Sequence, residues 1–175
     1  VLSTAMKSVG ETMAIGRTFK EAFQKGMRSL ETGRMGFGFD GKEEMNDLDE
    51  DDLQLGLTKP NSRRTAFLFE ALRRGMEIDH IYDLTKIDPW FLTNLKEIVV
   101  AGEEVAAKGF TGLDSEYLYK IKQLGFSDHQ LAKLTGTSED DIRQLRQENN
   151  IEPVFKLVDT CAAEFESYTP YYYST

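Results

Sequence analysis

The feature that most constrains this chain is a repeat at a spacing of fifty residues. Phe67, Leu68, Phe69, Gly75, Met76, Ile81, Leu84, Thr85, Leu92 and Leu95 are answered fifty positions later by Tyr117, Leu118, Tyr119, Gly125, Phe126, Leu131, Leu134, Thr135, Ile142 and Leu145. Aromatic, glycine, threonine and aliphatic positions keep register without a gap over about thirty residues, as duplicated supersecondary units do. Helices this short do not stand alone in water, so the two copies must bury their apolar faces against each other.

Each copy reads as three helices. In the first, Phe67, Leu68, Ala71 and Leu72 recur at helical spacing, and Gly75 follows the last of them, where a left-handed residue closes a helix. Ile78, Ile81, Tyr82 and Leu84 form the stripe of a second helix. Asp88 and Pro89 then supply a side-chain cap and a first-turn proline for a third. Trp90, Phe91, Leu92, Leu95, Ile98 and Val99 give that helix a broad apolar face, with Trp90 and Phe91 expected as core anchors. In the second copy Ser127 with Gln130, and Ser138 with Asp141, stand at capping-box spacing. The expected fold is mainly α, a helical bundle of two pseudo-repeated three-helix units at 64–99 and 114–149. A short strand is expected near the C-terminus, from Val154 to Asp159.

Upstream, Thr18 and Glu21 form a capping box ahead of an amphipathic helix expected over 19–31. Residues 32–63 read as a connector, with glycines at 33, 36, 38 and 41 around Phe37 and Phe39, and Leu48, Leu53, Leu55 and Leu57 forming a turn or two of helix. The acids between Asp40 and Asp52 bring a net −7 of the chain's formal −9 and read as a solvated loop. The opening on Val1 suggests a piece of something longer. The aromatics from Phe165 onward are too many for a free tail and are expected to be buried in a longer protein.

Few residues suggest chemistry. No apolar run approaches the ~20 residues a membrane span needs, and no leader is evident. The glycine run lacks the preceding strand and following lysine-serine of a phosphate loop. His80 and His129 occupy unrelated repeat positions and read as helix-face residues, while Cys161 reads as a packing thiol. The stretch from Phe126 to Gln147 has the form of a helix-turn-helix, so a free-standing DNA-binding regulator is the alternative reading. Against it, Glu139, Asp140 and Asp141 open the helix that would meet the DNA. No acid–base pair, metal cage or triad emerges, and the segment alone is expected to be inactive.

The stretch from Met6 to Phe19 resembles the end of the first ATP-grasp half of the large chain of glutamine-hydrolysing carbamoyl-phosphate synthase. The likeness continues through Leu72 to Gly75, Leu84 to Leu92, Gly125 to Asp128, Val158 to Phe165 and Tyr172 to Thr175, and departs most between Arg34 and Arg63. The resemblance implies an all-helical oligomerisation domain over 32–158, with the end of the carboxyphosphate-synthetic half at 1–31 and the start of the carbamoyl-phosphate-synthetic half at 159–175. It further implies that Met6 and Glu11 line an interior passage for carbamate. ATP and magnesium or manganese would bind elsewhere in the parent enzyme. The implied partners are further copies of the chain and a glutaminase small chain, in the cytoplasm.

Overall fold

Helix α4 (Ile78–Thr85) and helix α7 (Asp128–Thr135) start and stop fifty residues apart. This computed structural model describes residues 11–42, 45, 47–166 and 168–175. Around these two helices lie α3 (Arg64–Arg73) and α5 (Pro89–Lys108) in the first copy, and α6 (Ser115–Gln123) and α8 (Glu139–Glu148) in the second. The repeat extends to atomic detail. Thr85 Oγ1 donates to Ile81 O at 2.7 Å and Thr135 Oγ1 donates to Leu131 O at 2.7 Å. Both helices close on a left-handed residue, Lys86 at φ 58° and Gly136 at φ 70°. The two capping boxes at Ser127 and Ser138 form as the sequence predicts.

The third helix of the first copy runs on past Val99 to Lys108. Its buried stripe, Leu92, Leu95, Ile98, Val99, Gly102 and Val105, is continuous, so nothing in the packing interrupts it. Its first half lies fifty residues before α8. Its second half lies fifty after α2 (Glu50–Thr58), a helix that packs on α3 and α4. One long helix therefore serves both copies and packs against α3, α4 and α7. Leu68, Leu72, Ile81 and Leu92 join Leu118, Ile121, Leu131 and Ile142 in one core. Each such side chain contributes about 1.5–3 kcal/mol by leaving water.

The glycine-phenylalanine run is part of that core, which corrects its reading as a plain connector. Phe37 is 1% exposed and stands edge-on to Phe23 and Phe69, with centroids 5.3 and 5.4 Å away. Phe39 meets Phe69 at 4.9 Å and stacks at 6.5 Å on Phe126 of the second copy. Gly38 has φ 69°, and a Cβ there would lie 2.1 Å from the Phe69 ring, so only glycine allows this approach. Two amides hold the backbone. Gln24 Oε1 accepts from Phe37 N at 2.7 Å and Gln130 Nε2 donates to Gly38 O at 2.8 Å.

The acids that follow are not one loose loop. Asp40 is buried and pairs with Arg34 at 3.2 Å. Asp49 caps α2 by accepting from Asp52 N at 2.8 Å, and Glu50, Asp51 and Asp52 fill the first turn, where the helix dipole favours negative charge.

Helix α1 (Phe19–Ser29) wedges between the copies. Phe19 and Phe23 face α5 and Phe37, while Arg28 donates to Gly125 O at 2.8 Å. The expected strand is present as β1 (Phe155–Leu157), which pairs antiparallel with β2 (Tyr172–Ser174). Phe155 and Tyr172 on this ribbon are exposed. Cys161 lies half-buried in the turn beyond β1, beside exposed Ala162 and Ala163, rather than in the tight packing its neighbours suggested.

Candidate functional site

Asp88 Oδ1 accepts from Trp90 N at 2.8 Å, and Pro89 occupies the first turn of α5. This start fixes which way the two aromatics point. Leu92 and Leu95 lie on the buried stripe, and Trp90, two residues before Leu92, falls about 200° away around the helix. Trp90 is 57% and Phe91 42% exposed, so they are not the core anchors that their size suggests. They form a surface cluster with Phe19: centroids lie 5.4 Å from Phe19 to Trp90, 5.2 Å from Phe19 to Phe91 and 5.0 Å between Trp90 and Phe91. Phe19 and Phe91 also line a mainly apolar cleft of about 310 Å³ with Phe23, Leu68, Ile87 and Leu95, to which Arg64 and Thr65 contribute. A Lys20–Glu97 ion pair ties α1 to α5. Exposed aromatics beside a cleft are what protein contacts are built around.

Two polar clusters shape the surroundings. Under α8, Arg146 donates to both oxygens of Asp128, at 2.9 and 2.7 Å, and Lys122 Nζ reaches Asp128 Oδ1 at 2.9 Å. Burial alone would raise the Asp128 carboxyl, but hydrogen bonds and charge from Arg146 and Lys122 outweigh it and hold it below the usual carboxylate range. Burial pulls the Lys122 ammonium down, against the attraction of Asp128. On α1, Glu21 and Lys25 pair at 2.6 Å and gather backbone from both ends of the described chain. The sequence signal for this pair is a glutamate four residues before a lysine on one helix, common enough to pass unread.

The residues singled out for chemistry are scattered. Met6 lies outside the described residues. Glu11 is exposed, in the irregular stretch before α1. His80 is exposed, and His129 Nδ1 lies 3.6 Å from Glu139 Oε2. The helix-turn-helix stretch becomes α7 and α8, whose first turn carries Glu139, Asp140 and Asp141. Gly36 and Gly38 are packed against Gln130 and Phe69, and no group of three or more His, Cys, Asp or Glu among the described residues is placed to hold a metal. No helix of the described residues is long and apolar enough to cross a membrane.

Residues 11–150 match the family described as carbamoyl-phosphate synthetase large chain, oligomerisation domain. The chain belongs to this family. It is 50% identical over 175 residues to the carbamoyl phosphate synthase large chain of Synechocystis, covering 100% of this chain and 16% of that protein. It is 51% identical over 174 residues to the N-terminal section of the large chain of Aquifex aeolicus, covering 99% of this chain and 30% of that one. The arginine-specific, chloroplastic large chain of Arabidopsis thaliana is 47% identical over 175 residues, covering 100% and 15%. The chain thus spans between 15% and 30% of the length of these carbamoyl phosphate synthase relatives, and residues 11–150 match an oligomerisation domain rather than a DNA-binding regulator.

Proposed function

We propose that this chain is the non-catalytic self-association and spacer segment of a carbamoyl phosphate synthase large chain. The parent enzyme would make carbamoyl phosphate from bicarbonate, glutamine-derived ammonia and two ATP, with a glutaminase small chain as partner, in the cytoplasm. The observation that carries this reading is the match of residues 11–150 to an oligomerisation domain. Residues 32–158 are the helical module, 1–31 the end of the carboxyphosphate-synthetic half and 159–175 the start of the carbamoyl-phosphate-synthetic half. In the assembled enzyme Met6 and Glu11 would border the carbamate passage, where a carboxylate can hydrogen-bond a migrating acid.

The Phe19–Trp90–Phe91 cluster supplies the contact between copies. A two-fold pairing brings the same patch against itself, and central aromatics carry most of the energy of such interfaces. Sedimentation velocity over a wide concentration range tests this. The mass should rise with concentration, and Trp90→Ala should weaken association by roughly 30-fold or more, the effect of an aromatic hot spot of about 2 kcal/mol. A strict monomer at the highest concentration would overturn the reading.

A further inference from the structure

Glu21 and Lys25 are largely buried on the face of α1 away from Phe19 and Phe23, and their partners come from opposite ends of the chain. Glu21 Oε2 accepts from Arg17 N at 2.7 Å and from Thr175 Oγ1 at 3.1 Å. Lys25 Nζ donates to Glu21 Oε1 at 2.6 Å, to Ile15 O at 3.0 Å and to Ser174 O, and lies 5.9 Å from the Tyr173 ring centroid. The segment before α1 passes the helix at Gly26, where an added Cβ would lie 3.8 Å from Ala14 Cβ and 4.0 Å from Thr12 Cγ2. The outgoing side is tied down too. Arg146 holds Ile151 O at 2.9 Å, and Val154 and Thr175 exchange two backbone hydrogen bonds of 2.9 Å. Five contacts from two sequence-distant segments thus converge on one ion pair.

We infer that the Glu21–Lys25 pair is a clasp that holds the incoming segment (residues 11–17) and the outgoing segment (residues 172–175) side by side on α1. The helical body then hangs from one joint. The separation of whatever precedes and follows it is set at this clasp, and not by the length of the bundle. This rests on the partition under Proposed function only for naming what the two segments lead to. The clasp itself stands on the contacts above. Each partner satisfies the other's charge and a polar group from each segment, so neutralising either should free both segments while leaving the apolar core in place.

The test is a distance measurement between two nitroxide labels in the 175-residue chain. The labels sit at Met13→Cys and Tyr171→Cys, both exposed positions, in a Cys161→Ser background, and the sample is diluted with unlabelled protein so that only distances within one molecule are read. The parent should give one narrow distribution. Lys25→Met and Glu21→Gln should each widen it roughly twofold or more, as a locally released segment does, while far-UV circular dichroism keeps its helical signal. Thr175→Val, which removes one contact and no charge, should widen it less, and Lys25→Arg should restore most of the narrow form. An unchanged width in both charge-neutralising variants, even with a lowered Tm, would overturn the clasp and assign the pair to helix stability alone. Loss of self-association in sedimentation would leave this outcome untouched, so the two readings fail separately.

Discussion

Replacing Phe37 by alanine removes the ring that anchors the glycine-phenylalanine run in the core, between α1 and α3. Phe37 is fully buried, it stands edge-on to Phe23 of α1 and Phe69 of α3, and its amide is held by Gln24. Truncating a buried phenylalanine costs about 3–5 kcal/mol through lost transfer free energy and the cavity left behind. The upper half of that range applies here, because the flanking glycines and two side-chain amides hold the loop too firmly for it to collapse into the space. Against a domain stability of about 5–15 kcal/mol this is a large share. With a urea slope of about 2 kcal/mol/M, the midpoint should fall by about 2 M. Urea unfolding followed by circular dichroism measures it. A loss below about 1 kcal/mol would mean that the loop only lies over the bundle, and the account of the run as part of the core would be wrong.

Three further outcomes follow from the same geometry. The lowered native pKa of Asp128 gives stability that is present above its ordinary value of 3.8 and is lost as pH falls through the native one. Asp128→Asn should therefore cost about 3 kcal/mol near neutral pH by leaving Lys122 and Arg146 uncompensated, with the gap from the parent closing in acid; a pH-independent gap in urea midpoints would contradict this. Lys86 holds at φ 58° the left-handed position that glycine holds at Gly136, so Lys86→Gly should raise stability by up to about 1 kcal/mol, read as a higher Tm. Gly75→Ala meets nothing within 4 Å and should cost about 1 kcal/mol through its left-handed backbone, whereas Gly125→Ala, with a Cβ 3.0 Å from Glu21 Cα, should cost at least about twice that in the same urea assay.

The sequence made legible whatever is written in local periodicity. The bounds of α4 and α7, the caps at Asp88, Ser127 and Ser138, and the glycine closures at Gly75 and Gly125 all depend on neighbours within one turn. What it hid depends on distant contacts. Nothing near Phe37 shows that Phe69 awaits its ring or that Gln130 holds the carbonyl of Gly38 beside it, and glycines that permit close approach resemble glycines that merely loosen a chain. The length of α5 was obscured because the boundary between copies falls inside a helix that both share. Hydrophobicity reports the size of Trp90 and Phe91 and not their direction; once the stripe from Leu92 to Val105 is fixed, the helix turns them outward. The clasp on α1 unites residues more than a hundred positions apart and has no local signature.

Trp90 is the only tryptophan in the chain and sits on the surface assigned to the contact between copies, so its fluorescence tests the central claim most directly. Its emission should shift to shorter wavelength as protein concentration rises, with the same midpoint as the increase in sedimenting mass, because association takes the exposed indole out of water. A rise in mass with no change in emission would place the contact on another face. The absence of both would contradict self-association itself.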